Sequence, residues 1–288
     1  MPRSDTVLRA EDVCADTVAR LRSAGCVYAE EEASLLVAEA VSPDELAAMV
    51  DRRVAGHPLE QVLGWAEFCG LRIQVDAGVF VPRRRTELLV REAVEVAGDS
   101  TVAVDLCCGT GAVGAALVTA LPHLELHATD IDPAAVRCTR SNLAAAAAGA
   151  GTDGVGAGPR PVVHQGDLYE ALPAALQGRI DLLLVNAPYV PTDEVPLMPP
   201  EARLHEPLIA LDGGSDGLDV HRRVAADTRR WLAPGGRLLI ETSERQASQA
   251  VGIFTRNGLT PHVTRSDELG ATVVVGTDGR PGGSRRCR

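Results

Sequence analysis

Two short segments carry the residues best placed to do chemistry. In the first, Asp105-Leu-Cys-Cys-Gly109-Thr110-Gly111-Ala-Val-Gly114, an apolar run from Thr101 to Leu106 hands over to a glycine-rich turn. Its glycines permit a tight turn and let a ligand approach the backbone, and the helix expected next offers free N–H groups. The segment lacks the Gly-Lys-Ser/Thr of a phosphate-binding loop. Asp105, at the strand end, would repel a pyrophosphate and attract a cation. Asp130 ends the next apolar run, where a carboxylate can accept both hydroxyls of a ribose. Asp167 lies just past a third run, placed to meet an adenine edge or to cap the helix that follows. An adenosine with a cationic tail fits these positions better than a dinucleotide does. S-adenosylmethionine, with its sulfonium and ammonium, is such a molecule.

The second segment is Asn186-Ala187-Pro188-Tyr189, directly after the apolar run Ile180 to Val185. A carboxamide nitrogen, like the exocyclic nitrogen of adenine, is a poor nucleophile because its lone pair is delocalised. The Asn186 side-chain oxygen can accept one of its N–H groups and the Ala187 carbonyl the other, which aims the nitrogen at a methyl donor. Tyr189 can stack on the planar group, and Pro188 fixes the turn. A protein amide and a nucleobase amine satisfy this pattern equally.

The elements that must position these residues follow from hydrophobic periodicity. Apolar strands are expected at 101–106, 124–129, 162–164, 180–185, 237–240, 260–263 and 271–275, the fifth after a Pro-Gly-Gly turn. Helices are expected to about Leu121, from Pro133 to about Ala147, and from His221 to Leu232. Strands alternating with helices indicate a doubly wound α/β domain, and the nearly uninterrupted apolar run at 180–185 belongs at the centre of a sheet covered on both faces. The N-terminal part reads differently. Helical patterns over 12–23 and 30–41 precede Ser42-Pro43-Asp44-Glu45, a serine cap with proline at the first helical position and a capping-box glutamate. The stretches 65–69 and 71–75 alternate around Gly70 as a hairpin. Gly149 to Pro161 is expected as a surface loop.

Composition excludes several classes. The 288 residues include 39 acidic and 28 basic ones, for a net charge of −11, and only 3% are aromatic. That balance argues against sequence-blind nucleic-acid binding and against a stacking platform for single strands. All the basic residues are arginine. The sharpest basic patch is Arg83 to Arg85, either a solvated helix start or a contact for an acidic face or RNA. The seven cysteines form no CxxC pair and the histidines no HExxH, so free thiols in a reducing cytoplasm are expected and a metal site is not. No apolar run is long enough for a membrane span. Trp65 and Trp231 read as packing residues, and Asp212 and Asp216 as Asx turns.

Taken together, these segments resemble the HemK/PrmC-type protein-(glutamine-N5) methyltransferases, which modify the Gly-Gly-Gln loop of peptide chain release factors. Phe80-Val-Pro82-Arg83-Arg-Arg-Thr86-Glu87 is similar to the family's Phe-x-Pro-Arg-x-x-Thr-Glu, and Asn186 to Tyr189 to its Asn-Pro-Pro-Tyr. Glu206-Pro207 through Asp216-Gly217-Leu218 matches its downstream signature. The resemblance spans about residues 55–275. It implies a Rossmann-like class I S-adenosylmethionine-dependent methyltransferase fold with a mostly parallel seven-stranded sheet. It also implies that Phe80, Pro82, Arg83 and Thr86 help close the donor pocket. Asp105, Cys107, Gly109, Thr110 and Gly111 would form the donor turn, Asp130 would lie at the ribose with Ile131 also touching the donor, and Asp167 and Leu168 would lie near the adenine. Asn186, Ala187, Pro188 and Tyr189 would carry catalysis, with Asn186 also touching the donor.

The expected organisation is a helical substrate-recognition domain at 1–62, a hairpin linker at 63–78, a catalytic domain at 79–276 and a tail at 277–288. The expected partner is a release factor, met by a cytoplasmic monomer without a membrane contact, and nucleic acid is not expected as a direct substrate. N6-adenine methylation of DNA or RNA, a small-molecule N-methyltransferase and a donor-binding scaffold are the competing functions. The chain departs from the family pattern at Arg84 and Arg85, at Ala187, at Cys107 and Cys108, and at Thr242-Ser243, where a glycine is expected after Glu241. These departures resemble an actinobacterial paralogue group.

Overall fold

The computed structural model describes residues 3–150 and 158–280. It opens on three helices, α1 (Arg3–Ser23), α2 (Ala29–Glu39) and α3 (Pro43–Val54). α1 begins well before Asp12, the first residue expected in it. α3 starts at its serine cap: Ser42 Oγ accepts the Glu45 N–H at 3.2 Å. The Glu45 carboxylate does not close the box on Ser42; it accepts the N–H of Val41, one residue earlier, at 2.8 Å. Leu21, Ala33, Leu36, Met49 and Val50 form a small core between the three helices. At its edge Arg53 forks onto Glu32, with Nε to Oε2 at 2.6 Å and Nη2 to Oε1 at 3.0 Å. Its Nη1 reaches Glu201 at 3.0 Å. Gln61, on the short helix α4 (Leu59–Leu63), adds a second tie by donating to the Val79 carbonyl at 3.1 Å.

β1 (Trp65–Phe68) and β2 (Leu71–Gln74) form the expected hairpin. Its turn residues Cys69 and Gly70 have φ +50° and +74°, the mirror-image turn that follows strand twist. Phe68 and Ile73 of the hairpin are buried in the main core. Asn142 also holds Gln74 from both sides, accepting its N–H at 2.8 Å and donating to its carbonyl at 2.9 Å.

The main sheet contains β3 (Val102–Leu106), β4 (Glu125–Asp130), β5 (Val162–Gln165), β6 (Ile180–Val185), β7 (Leu232–Thr242), β8 (Leu259–Ser266) and β9 (Ala271–Asp278). Their order is β5-β4-β3-β6-β7-β9-β8; β9 runs antiparallel to its neighbours and the other pairings are parallel. Along β6, Leu182 and Leu184 enter one core while Leu183 and Val185 enter the other, so both faces are covered. α5 (Glu87–Val96), α6 (Ala112–Ala120) and α7 (Pro133–Ala150) pack on the first face. α9 (Asp219–Trp231) and α10 (Ala247–Arg256) pack on the second. A short α8 (Pro200–His205) lies in the segment between β6 and α9.

The pattern differs from expectation in three places. Pro234-Gly235-Gly236 is a bulge inside β7 and not a turn before it, because the register jumps from Ile180↔Leu232 to Leu182↔Arg237. Gly236 is required there, since a Cβ would stand 2.6 Å from the Ile180 carbonyl oxygen. β9 continues to Asp278, which is buried and ion-paired with Arg229 and Arg280, so 277–278 belong to the sheet. The loop expected at 149–161 begins only after α7 ends at Ala150, and 151–157 lie outside the described residues, as does most of the expected tail.

Arg53→Ala would leave Glu32 buried without its partner. Breaking such a pair costs about 3–5 kcal/mol. The Glu32 side chain is only 9% exposed, so a loss of about 3 kcal/mol is expected in urea unfolding followed by circular dichroism. A loss below about 1 kcal/mol would show a pair already screened by solvent.

Candidate functional site

The parallel register of β3 and β6 places Asp105 opposite Leu184 and Leu106 opposite Val185. Cys107 and Asn186, the next residues, therefore leave the sheet side by side. Asp130 leaves at the same edge, since Thr129 is opposite Leu106. A cleft of about 450 Å³ opens here, and every expected site residue except Gly111 lines it. Gly111 is the N-cap residue of α6, at φ +77°. A Cβ there would stand 2.8 Å from Thr139 Cγ2 and 3.0 Å from its Cα, so the role of Gly111 is close packing.

On one side of the cleft, Asp105 is buried and its Oδ2 accepts the Gly114 N–H at 3.1 Å. Burial pushes its carboxyl up to about 7, opposed by that N–H and reinforced by the charge of Asp130. Cys107 follows at φ +57°, a left-handed conformation that costs a non-glycine residue about 1–3 kcal/mol. The turn is braced from α7: Thr139 Oγ1 donates to the Gly109 carbonyl at 2.9 Å and Asn142 Nδ2 to the Thr110 carbonyl at 2.8 Å. Asp130 takes the Gly109 N–H on Oδ2 and the Asp132 N–H on Oδ1, both at 2.9 Å. Burial raises its carboxyl, and the backbone N–H groups draw it back. Each oxygen retains a lone pair for a diol. Ile131, beside it, offers an apolar surface that is 46% exposed.

Asp167 makes no side-chain cap to the turn Leu168–Ala171 that follows it. It pairs instead with Arg223 of α9, Nη2 to Oδ2 at 2.7 Å. Leu168 is buried, with φ +47°. Arg223 also lines the cleft and was not anticipated. It is one arginine among several on the polar face of α9, and no local spacing distinguishes it.

On the other side, Asn186 Nδ2 donates to Thr86 Oγ1 at 3.2 Å. With Nδ2 so committed, Oδ1 is the atom available to accept from a ligand. Thr86 ends the strap Phe80–Thr86, which is clamped by Arg83. One Arg83 nitrogen, Nη2, reaches both Glu206 oxygens, at 2.7 and 2.6 Å, and Glu206 also accepts the Val81 N–H at 3.1 Å. Burial raises the Glu206 carboxyl, against the pull of Arg83 and that N–H. Arg83 lies over the Phe80 ring, 4.9 Å from its centroid.

The three arginines of the basic patch thus do different things. Arg83 holds Glu206; Arg84 faces outward, 3.8 Å from Glu268; Arg85 Nε meets buried Glu241 at 3.3 Å.

Tyr189 donates its hydroxyl to Glu241 Oε1 at 3.0 Å, and burial holds the phenol well above its ordinary range. Gln246 Nε2 donates to the Tyr189 and Asp216 carbonyls, each at 2.9 Å. The glycines of the 213–217 loop permit its contact with Tyr189: a Cβ on Gly213 would stand 2.8 Å from Tyr189 Cα, and one on Gly217 2.2 Å from its carbonyl oxygen. Asp212 and Asp216 accept the N–H groups of Gly214 and Leu218, two residues on, as Asx turns do. Trp231 stacks on Tyr169 at 5.5 Å, in the core. The His205 ring lies 4.0 Å from that of His57, tilted by 32°, and links α8 to the helical region. Among the described residues, no group of three or more His, Cys, Asp or Glu could hold a metal.

Residues 70–197 match the Methyltransferase small domain family. The solved methyltransferase of Pyrococcus furiosus shares the fold, with TM-score 0.52 at 13% identity over 81% of this chain and 98% of that one. Fold and site define a class I S-adenosylmethionine-dependent methyltransferase. The release factor glutamine methyltransferase of Geobacter sulfurreducens is 36% identical over 82% of this chain and 79% of its own length. That of Cereibacter sphaeroides is 33% identical over 88% and 92%. The chain belongs to the HemK/PrmC-type release factor glutamine methyltransferase family.

A carboxylate that is to hold a donor ammonium must be ionised, and burial pushes the Asp105 carboxyl up to about 7 in the free protein. A proton then competes with the cation, so affinity falls as pH drops. S-adenosylhomocysteine, which carries the same ammonium, is expected to bind about tenfold more weakly at pH 6 than at pH 8 by calorimetry. Asp105→Asn should flatten this dependence; a pH-independent wild type would remove Asp105 from the ammonium site.

Proposed function

We propose that this chain transfers a methyl group from S-adenosylmethionine to the side-chain amide nitrogen of a protein glutamine, the one in the Gly-Gly-Gln loop of a peptide chain release factor. The observation that carries this reading is Asn186, held by Thr86 in a cleft that the buried carboxylate of Asp105 also lines. The donor supplies a methyl on a sulfonium, whose sulfur departs with the bonding electron pair as a thioether.

The residues present fit that donor. Asp105 provides a counter-charge for its ammonium, Asp130 lone pairs for its ribose hydroxyls, and Ile131 and Leu168 apolar contact for its adenine. Phe80 and Pro82 cover the same cleft from the strap, and Thr110 and Gly109 present backbone to it. Asn186 Oδ1 and the Ala187 carbonyl accept the two N–H groups of the substrate carboxamide, and the Tyr189 ring stacks on its plane. Removing the amide from conjugation and fixing it in line with the methyl is a problem of orientation, for which about 7–11 kcal/mol is available in general. The proton leaves after the methyl arrives, so no strong base is needed. Replacing the first proline of the family motif by Ala187 keeps the carbonyl that the chemistry uses.

The helical region 1–62 serves as the docking unit for the acceptor protein, joined through the hairpin 63–78 to the catalytic part 79–276. It is tied to that part by Arg53–Glu201 and Gln61–Val79. The protein acts as a monomer in the cytoplasm, where release factors work. Among the described residues no helix is long and apolar enough to cross a membrane. Within the family, the departures at Arg84, Arg85, Ala187 and Thr242 favour the actinobacterial paralogue group.

The test is incorporation of labelled methyl from S-adenosylmethionine into recombinant release factor, with site mapping by mass spectrometry. Labelling is expected on the Gly-Gly-Gln glutamine, falling at least about 100-fold in Asn186→Ala. Labelling of RNA, DNA or a small molecule with the release factor untouched would replace this reading.

A further inference from the structure

The acceptor side of the cleft contains a buried acid with no part in the mechanism so far. Glu241, near the end of β7, is 2% exposed. Its Oε1 is shared by the Tyr189 hydroxyl at 3.0 Å and Arg85 Nε at 3.3 Å. Its Oε2 has no hydrogen-bond partner among the described residues. A carboxylate is costly to bury half-satisfied, and an apolar residue would fill the same place without that cost.

The frame around this contact is rigid on both sides. His221 meets the Glu241 carbonyl at 3.2 Å, and Gln246 holds the Tyr189 carbonyl at 2.9 Å. Gly213 and Gly217 let the 213–217 loop lie directly against the Tyr189 backbone. With both main chains fixed, the orientation of the Tyr189 ring is left to its own torsions, and the hydroxyl bond to Glu241 selects one of them. The Arg85 guanidinium completes the arrangement. It stands 5.7 Å from the Tyr189 ring centroid, over one face, and lines the cleft while its side chain remains 46% exposed.

We propose that Glu241 and Arg85 are positioning residues for the methyl acceptor. Glu241 fixes the Tyr189 ring by accepting its hydroxyl, and Arg85 compensates the charge of Glu241 and occupies one face of the ring. A planar carboxamide then stacks on the other face, in the orientation that presents its nitrogen to Asn186 and the donor methyl. The inference rests on the glutamine-amide reading above and names what orients that amide.

The experiment measures steady-state methylation of recombinant release factor together with the calorimetric Kd of S-adenosylhomocysteine. The variants are Tyr189→Phe, Glu241→Ala, Glu241→Gln and Arg85→Ala, with Glu241→Ala and Arg85→Ala repeated in the Tyr189→Phe background. Glu241→Ala and Tyr189→Phe are each expected to lower kcat about tenfold, with the Kd of S-adenosylhomocysteine held within about twofold. Glu241→Gln, whose amide oxygen can still accept the hydroxyl, should recover most of that loss. In the Tyr189→Phe background, Glu241→Ala should cost less than about twofold more, because the two act as one unit. Arg85→Ala, a change at a half-exposed side chain that leaves the fold intact, should lower kcat about threefold alone and have little effect once Tyr189 is Phe. Losses that multiply in either double variant, or a matching loss of S-adenosylhomocysteine affinity, would overturn the positioning role. Failure of the wild type to methylate the release factor would instead overturn the glutamine reading and this inference with it.

Discussion

Methyl transfer requires two ligands to meet within bonding reach, and the parallel pairing of β3 with β6 makes that meeting possible. Asp105 opposite Leu184 and Leu106 opposite Val185 put the Cys107–Gly111 turn and the Asn186–Tyr189 turn at one level of the sheet. A slip of one residue would separate them by about 3.3 Å and would turn each strand's side chains to the opposite face. The register is protected by burial: Leu182 and Leu184 belong to one core, Leu183 and Val185 to the other, and all four are fully covered. The site's geometry is therefore held by the hydrophobic effect acting on residues that never touch a ligand.

Around that frame stand three buried acids, each with a different kind of partner. Asp105 has a single backbone N–H and burial that raises its pKa, the environment of a carboxylate awaiting a cation. Glu206 has Arg83 and the Val81 N–H, which fasten the Phe80–Thr86 strap over the cleft and carry Thr86 to Asn186. Glu241 has the Tyr189 hydroxyl and Arg85. None would be favourable without its partner. Glu206 and Glu241 tie the Phe80–Thr86 strap and the Asn186–Tyr189 turn to side chains distant in sequence.

That distance explains what the sequence shows and what it conceals. β6 is legible residue for residue because a strand covered on both faces is a nearly continuous apolar run, broken here only by Asp181 near its start. The Gly109-Thr110-Gly111 turn and Asn186 to Tyr189 are legible because their chemistry is local and sits at strand ends. The Pro234-Gly235-Gly236 bulge reads as a turn in the sequence, since both structures ask for the same residues and only the partner strand distinguishes them. Arg223, Glu206 and Glu241 act through side-chain pairs 56, 123 and 52 residues apart along the chain, which no local pattern records. Gly111 packs against Thr139, a constraint the sequence does not show, because a glycine needed for close approach looks the same whichever neighbour approaches.

The account turns on where a glutamine side chain lies relative to Asn186 and Asp105. The most direct measurement is a crystal structure of the protein with S-adenosylhomocysteine and a peptide bearing the Gly-Gly-Gln sequence. The account predicts the carboxamide nitrogen between Asn186 Oδ1 and the Ala187 carbonyl, its plane against the Tyr189 ring, and the ligand's ammonium on Asp105. A glutamine bound outside the cleft, or an ammonium held by a group other than Asp105, would contradict it.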